Sequence, residues 1–162
     1  MNAEVFHEIY SAHYKRVYNY IYGRILKREA AEDVTAEVFL AVWKNLSGFD
    51  AKKGSVTAWL YAIAANKSAN YLKQAYLRHE VSVTEVPDAA EEETFSNPVN
   101  QASFRILSRL TDAEREFLLM RYELGFNSNE IAQMLGCTPS SIRTRYSRLL
   151  KKCRNLDMEG RR

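Results

Sequence analysis

Glycine, proline and cysteine are scarce in this chain of 162 residues, which contains six, three and two of them, respectively. Long stretches without glycine or proline favour helices over many short strands. The cysteines, Cys137 and Cys153, lie 16 residues apart and away from the three histidines, so no cluster has metal-ligand spacing. We therefore expect no metal site and two buried free thiols, as is usual in a reducing cytoplasm.

The sequence also lacks the patterns of export and membrane insertion. Residues 1–4 contain no basic side chain. Tyr, Lys and Arg interrupt every apolar run well below the about 20 residues that a membrane span needs. We expect a cytoplasmic protein that does not itself insert into a membrane.

Charge is arranged in three blocks, although the net charge is only +3. Residues 1–80 contain 11 Lys or Arg and 8 Asp or Glu, residues 81–100 contain none and 5, and residues 101–162 contain 12 and 7. Two mildly basic blocks therefore flank an acidic segment. Nucleic acid is a plausible partner for the basic blocks, although charge alone does not establish it.

Apolar residues recur at helical spacing through the first block. This period predicts helices over 3–26, 29–46 and 55–78, with a loop at 47–54 and Ser55 as an N-cap. The loop contains two glycines and two lysines, which interrupt the apolar pattern.

No sustained period runs through 81–100, which holds a run of three glutamates. This composition predicts a solvated, flexible linker. The predicted fold is all-α, with two small helical domains at 1–80 and 101–156 joined by the acidic linker. Within the second domain, Thr111 and Glu114 have the spacing of a capping box that opens a helix.

Two further helices are predicted at 127–135 and 139–154. Asn127 begins the first with another capping-box pattern, and Gly136 suits a left-handed helix end. Thr138 and the proline after it suit the N-cap and first position of the second helix. About three residues join the two helices, which is the spacing of a helix-turn-helix.

The second of these helices is amphipathic. Ile142, Tyr146, Leu149 and Cys153 are expected to face the core because they recur at helical spacing. Polar and basic residues cover the remainder, and small hydroxyls and arginines suit contact with phosphates and base edges. A solvated basic face in an ordinary bundle is the alternative. The candidate DNA contacts are Ser140, Ser141, Arg143, Thr144, Arg145, Arg148, Lys151 and Lys152.

Four segments of this sequence carry a resemblance to a known family. Residues 127–154, NSNEIAQMLGCTPSSIRTRYSRLLKKCR, and the preceding LTDAEREFLLMRYELGF resemble the upstream-element-binding domain of bacterial sigma factors. Residues 31–46, AEDVTAEVFLAVWKNL, resemble the polymerase-binding helix of the extracytoplasmic-function group. Residues 57–74, TAWLYAIAANKSANYLKQ, resemble that group's helix facing the downstream promoter element. The chain is identified as a member of this compact group, because the motifs occur in the family's order.

The resemblance implies a binding site for core RNA polymerase on the second helix, which would dock on the clamp helices of the β′ subunit. Apolar anchors beside charges suit such a contact. Of the two aromatic residues in this helix segment, Phe39 and Trp43, one could equally belong to the core. The implied contacts are Glu32, Asp33, Glu37, Phe39, Trp43 and Lys44.

The resemblance also implies a site that opens the downstream element. Gly48 to Gly54 match a loop that captures a flipped promoter base, where Phe49 could stack on the base or pack in the core. This chain has Ala65, Asn70 and Lys73 at positions where family members often have Arg, Asp and Arg, respectively. Because these changes remove charge or bidentate hydrogen bonding, the resemblance does not imply which downstream promoter sequence is recognised. The implied contacts are Phe49, Lys52, Lys53, Asn66, Lys67, Asn70, Tyr71 and Lys73.

The implied function is that of a sigma factor, which directs RNA polymerase to specific promoters and assists their opening. The implied partners are core polymerase (β′ clamp helices and β flap), promoter DNA and an inhibitory anti-sigma protein, with no cofactor. When bound to polymerase, the protein would be associated with the nucleoid.

Two other classes of protein are weighed against the sigma factor. A polymerase-independent repressor or activator would use residues 1–80 for dimerisation or ligand binding, and the ordered match over 31–74 argues against it. An enzyme is not expected, because the sequence has no G-x-S-x-G, P-loop, H-E-x-x-H or Rossmann glycine pattern.

Overall fold

The computed structural model describes residues 3–78 and 101–160, and every regular element within these ranges is helical. The predicted all-α fold is therefore confirmed. The chain divides into two compact units, Met1–Thr84 and Glu85–Arg162. The predicted linker at 81–100 lies outside the described residues. The elements are α1 (Ala3–Ile25), α2 (Arg28–Asn45), a 3-10 turn (Leu46–Gly48), α3 (Val56–Leu77), α4 (Gln101–Ser108), α5 (Asp112–Tyr122), α6 (Ser128–Leu135) and α7 (Pro139–Gly160).

The N-terminal unit is a three-helix arrangement in which α1, α2 and α3 all pack on one another. Its core takes apolar residues from one stripe of each helix, as helical periodicity requires. Val5, in the first turn of α1, is 38% exposed and lies outside this core. The core residues that are at most 2% exposed include Val17, Tyr20, Ile21, Val38, Val42, Leu60 and Ala64.

Five aromatic residues form a ladder along α1, each one turn after the last. Neighbouring ring centroids lie 5.0 to 6.3 Å apart. Residues four apart share one face of a helix, and aromatic pairs at such distances each contribute about 0.5–1.5 kcal/mol beyond area burial. The ladder therefore stiffens α1 and offers α2 an aromatic surface. Its members are Phe6, Tyr10, Tyr14, Tyr18 and Tyr22.

A buried arginine ties α1 to α3. Arg24 is 3% exposed, and its Nη1 donates to Ser68 Oγ at 2.8 Å and to the Ala65 carbonyl at 3.2 Å. The same nitrogen lies 3.3 Å from the hydroxyl of Tyr20. Burying a cation is costly unless polar partners replace water, and these three oxygens do so. Sequence periodicity did not predict this contact.

The C-terminal unit has the helix caps that the sequence predicts. Both capping boxes form, at Thr111 and at Asn127, and Gly136 adopts φ 70° and ψ 37°. Two features differ from expectation. The helix α4 was not predicted, and α7 continues to Gly160 instead of ending near residue 154.

The prediction of two buried thiols is wrong. Cys137 is exposed, since it occupies the turn between α6 and α7, and Cys153 is half-buried. Burial raises the pKa of the Cys153 thiol. In the described residues, we find no group of three His, Cys, Asp or Glu side chains placed to hold a metal ion. None of the described helices combines the length and the hydropathy of a membrane span.

Candidate functional site

The turn between α6 and α7 sets the direction of α7 within the C-terminal unit. The Cys137 N–H donates to the Ala132 carbonyl at 3.0 Å, which closes α6 around the left-handed glycine. Thr138 Oγ1 then accepts the Ser141 N–H at 3.2 Å, which caps α7. The predicted helix-turn-helix is thus formed, with both helix ends satisfied.

The inner stripe of α7 packs against α5. Ile142, Tyr146 and Leu149 are buried, as predicted. The Tyr146 hydroxyl donates to the Phe117 carbonyl at 2.6 Å, and the two rings lie 4.4 Å apart. These contacts fix both the depth and the rotation of α7 on the helix behind it.

The predicted DNA-contacting residues of α7 fall into two groups in the structure. Arg143, Arg148 and Lys151 are exposed and have no ion-pair or hydrogen-bond partner within the described part of the chain. Arg145 and Lys152 are also exposed, but both contact α5. Of the three hydroxyl residues, Ser141 is half-buried, and Ser140 and Thr144 are exposed.

The contacts to α5 involve one ring and one carboxylate. The Arg145 guanidinium lies 4.5 Å from the centroid of the Phe117 ring. Lys152 Nζ lies 2.9 and 3.0 Å from the two carboxylate oxygens of Glu114. The backbone N–H of Thr111 and the ammonium of Lys152 together hold the pKa of Glu114 below its ordinary value.

One exposed residue of α7 was missed by the sequence analysis. Ser147 lies on the outward stripe with Ser140, Thr144 and Lys151, at spacings of three and four residues. The same helical count that assigned the core stripe could have found it. This outward stripe places three hydroxyls and one cation along the face of α7 opposite its core stripe.

In the N-terminal unit, the predicted base-capturing loop is ordered by local contacts. The Phe49 ring stacks on Trp59 of α3, with centroids 4.8 Å apart and planes 27° apart. The Asp50 carboxylate accepts a hydrogen bond from the backbone N–H of Lys52, and the Asp50 carbonyl accepts one from the backbone N–H of Lys53. Phe49 is therefore engaged with an aromatic side chain of the protein, while the two lysine side chains are exposed.

The polar residues predicted on α3 lie along one side of the helix. Asn66 and Asn70 are exposed and one turn apart, with the Asn70 amide nitrogen 3.5 Å from Asn66 Oδ1. Lys73 is exposed on the next turn, whereas Lys67 and Tyr71 are half-buried. The buried Arg24 binds α3 from the opposite side, at the Ala65 carbonyl.

The predicted polymerase-binding residues of α2 separate into core and surface. Phe39 is only 4% exposed and packs on Tyr10 and Tyr14, with centroids 5.0 and 5.7 Å away. Trp43 is half-buried and meets the Phe6 ring edge-on at 5.2 Å. Of the two aromatic residues, Phe39 is thus the core residue.

The outer face of α2 is charged and carries a leucine that the sequence analysis missed. Leu40 is 52% exposed and lies between Glu37 and Lys44 at helical spacing, with Asp33 one turn earlier. Glu32, beside this stripe, is exposed and pairs with Arg28 at 3.2 Å. An exposed leucine with a charged rim has the composition of a protein-binding surface.

The chain combines a helix-turn-helix that has a basic outer face with a separate three-helix unit. This combination defines the class of this protein: a DNA-binding protein of two helical units. Residues 9–77 match the family model of sigma-70 region 2, and residues 104–153 match that of sigma-70 region 4. The chain belongs to the sigma-70 family, and its relatives place it in the extracytoplasmic-function group.

Two curated relatives illustrate this similarity. The extracytoplasmic-function RNA polymerase sigma factor BldN of Streptomyces coelicolor is 30% identical over 155 residues, which cover 92% of this chain and 59% of BldN. The sigma factor SigK of Mycobacterium tuberculosis is 28% identical over 157 residues, which cover 93% of this chain and 84% of SigK. The chain thus spans somewhat under two thirds of the length of BldN.

Two solved structures share the fold. The sigma factor RpoE of Bartonella quintana, in complex with the anti-sigma factor NepR, matches with a TM-score of 0.76 and 19% identity, over 95% of this chain and 97% of that one. CnrH, in complex with the cytosolic domain of CnrY, matches with a TM-score of 0.67 and 22% identity, over 96% and 88%.

Proposed function

We propose that this protein directs bacterial RNA polymerase to specific promoters and assists promoter opening. The observation that carries the proposal is the presence of both sigma-70 regions in one chain, with cations on the outward side of the helix-turn-helix that have no partner among the described residues. Its partners are core polymerase and promoter DNA. A cytoplasmic location, with association to the nucleoid through polymerase, follows from these partners.

Polymerase binding and promoter recognition are divided between two domains. Residues 1–80 bind polymerase and melt the downstream element, residues 101–156 bind the upstream element, and 81–100 link them. The protein makes no covalent change and is not an enzyme; it supplies binding energy for strand separation. An anti-sigma protein is a further partner, because the structural relatives RpoE and CnrH were solved with NepR and CnrY.

The upstream element is bound by the outward side of α7. Hydroxyls at Ser140, Thr144 and Ser147 are small enough to let the helix approach base edges. The guanidinium groups of Arg143 and Arg148 have no partner in the described part of the chain, and they can bond guanine bidentately or pair with phosphate. Alanine at either arginine is expected to weaken binding by about 1–3 kcal/mol if that arginine reads a base.

The downstream element is held by the loop and by one side of α3. Lys52, Lys53 and Lys73 are exposed cations that suit phosphates, and Asn66 and Asn70 offer amides to unpaired bases. Because Phe49 already stacks on Trp59, the pair supplies a preformed aromatic platform. Capture of a flipped base costs a few kcal/mol, which stacking on such a platform helps to offset.

Polymerase is bound by the outer face of α2. Asp33, Glu37 and Lys44 supply charges around Leu40, while Trp43 adds a half-buried ring. Phe39 acts from behind this face, because it holds α2 on the aromatic ladder of α1. Hot spots of protein interfaces are of this kind, with a few apolar anchors inside a polar rim.

Reconstitution with bacterial core polymerase tests the function. The purified full chain is mixed with core enzyme and a promoter library, and the run-off transcripts are sequenced. Sequence-restricted transcripts that require the protein are expected. Tight, specific DNA binding by the protein without polymerase, and no new transcripts with it, would instead identify a polymerase-independent regulator.

A further inference from the structure

Two cations on the flank of α7 are committed to α5. Arg145 and Lys152 are seven residues apart, so they lie on the same side of α7, two turns from each other. Their partners, Phe117 and Glu114, are three residues apart and share one side of α5. The two contacts therefore form a pair of rungs between the helices, which we call the α5–α7 brace.

The brace is anchored at both rungs. Phe117 contacts the ring of Tyr146 as well as the guanidinium of Arg145, and its carbonyl accepts the tyrosine hydroxyl. Glu114 accepts the backbone N–H of Thr111 at 3.0 Å in addition to the Lys152 ammonium. The start of α5 and the middle of α7 are thus joined through one carboxylate.

Lys151 differs from the two cations of the α5–α7 brace because it pairs with no described residue of α5. Lys151 is adjacent to Lys152 in the chain, yet it lies on the outward stripe with Thr144 and has no partner within the described residues. A lysine held by both oxygens of a carboxylate must break that pair before it can bind a phosphate, whereas Lys151 need not. The two neighbouring lysines thus differ in their contacts within the described residues.

We propose that Arg145 and Lys152 are positioning residues, which set the angle of the recognition helix by binding α5, and that they make no contact with DNA. This revises the expectation that Arg145 and Lys152 contact DNA, and it rests on the proposed function. Loss of the brace would let α7 tilt, so the protein would discriminate less between promoters while keeping its phosphate contacts.

The dependence of binding on salt distinguishes the two roles. Each lost phosphate contact lowers the slope of log K against log salt by about 0.9, because one fewer counterion is released. The test compares Lys151→Gln with Lys152→Gln, which remove one charge each from adjacent positions. The full chain is assembled with core polymerase, and the probe is a duplex that the wild-type holoenzyme selects from a random library.

For Lys151→Gln, the slope is expected to fall by about 0.9, with the preference for the intact over a scrambled upstream element retained. For Lys152→Gln, the slope is expected to stay at the wild-type value, with the preference reduced about tenfold or more. Lys152→Arg is expected to restore the preference. Glu114→Gln, which removes the charge partner but can still accept from Thr111, is expected to behave like Lys152→Gln.

Three outcomes would overturn the proposal. A fall in slope for Lys152→Gln equal to that for Lys151→Gln would show that Lys152 binds phosphate. A lower melting temperature with unchanged slope and preference would show a structural role only. If the wild-type holoenzyme selects no duplex at all, the proposed function itself fails, and the brace proposal fails with it.

Discussion

Arg24 Nη1 lies 2.8 Å from Ser68 Oγ, although 44 residues separate the two in the chain. This hydrogen bond, with the one to the Ala65 carbonyl, joins α1 to the stretch of α3 that carries the predicted downstream-element contacts. The interior of the N-terminal unit therefore supports its candidate DNA-binding helix through one buried guanidinium.

Arg24→Leu is expected to destabilise the N-terminal unit by about 2–3 kcal/mol, because the Ser68 and Ala65 oxygens lose a charged donor. Urea unfolding followed by tryptophan fluorescence measures this change selectively, since both tryptophans, Trp43 and Trp59, lie in that unit. The control is Arg16→Leu, which removes an exposed arginine from the same helix and is expected to change stability by less than about 0.5 kcal/mol. Equal effects of the two variants would contradict the role of Arg24.

The carboxyl group of Glu114 is expected to titrate below its ordinary pKa of 4.5 in the folded protein, chiefly through the Thr111 N–H and then through Lys152. Because the folded-state pKa is lowered, the charged form stabilises the C-terminal unit above pH 4.5. This stabilisation is lost as the pH falls through the lowered value. A carbon-detected NMR titration of the Glu114 carboxyl measures the pKa directly.

The Lys152→Gln variant supplies the control for this titration. The pKa of Glu114 should rise when the ammonium is removed, but it should stay below 4.5 because the Thr111 N–H remains. An unchanged pKa in the variant would show that the ion pair does not persist in solution.

The helix-turn-helix could be predicted from sequence because its signals are local. Asn127 and Glu130 cap α6 by contacts within one turn, and Gly136 supplies a left-handed conformation that other residues adopt at a cost. Such features depend on neighbours in the chain, so the residue types at fixed spacing carry the information.

The buried arginine and the α5–α7 brace could not be predicted in the same way. Arg24, Arg145 and Lys152 resemble surface residues in sequence, and their environments are decided by partners 28 to 44 residues away. The burial of Phe39 and the exposure of Leu40 have a similar cause: one residue of shift is a rotation of 100° on a helix, and only the packing of α1 on α2 settles which residue is inside.

Gly136→Ala is expected to destabilise the C-terminal unit by about 1–2 kcal/mol, although a Cβ at this position would meet no atom within 4 Å. The cost comes from the backbone, because φ is +70° at this residue. Gly136→Asn should cost less, since asparagine adopts this conformation more readily. Hydrogen exchange of the α6 and α7 amides measures the stability of this unit.

Gly160→Ala is the matched control for that measurement. It lies in α7 with equally open space and an ordinary φ, so alanine should be neutral or slightly stabilising there. A loss at Gly160 as large as that at Gly136 would exclude backbone strain as the cause.

Phe39 and Leu40 are adjacent on α2, but they are expected to affect polymerase binding by different routes. Phe39→Ala removes a ring that is 4% exposed, so it should destabilise the N-terminal unit by about 3–5 kcal/mol and lower polymerase binding as a consequence. Leu40→Asp changes a side chain that is 52% exposed, so it should lower polymerase binding at least tenfold while the tryptophan-monitored unfolding midpoint changes little.

Leu77→Asp is the control for adding a carboxylate to this unit, because Leu77 is also an exposed leucine but lies on α3. Fluorescence anisotropy of the labelled chain against core polymerase provides the binding constants. If Leu40→Asp binds like the Leu77 variant, the outer face of α2 is not the polymerase contact, whatever Phe39→Ala does to the fold.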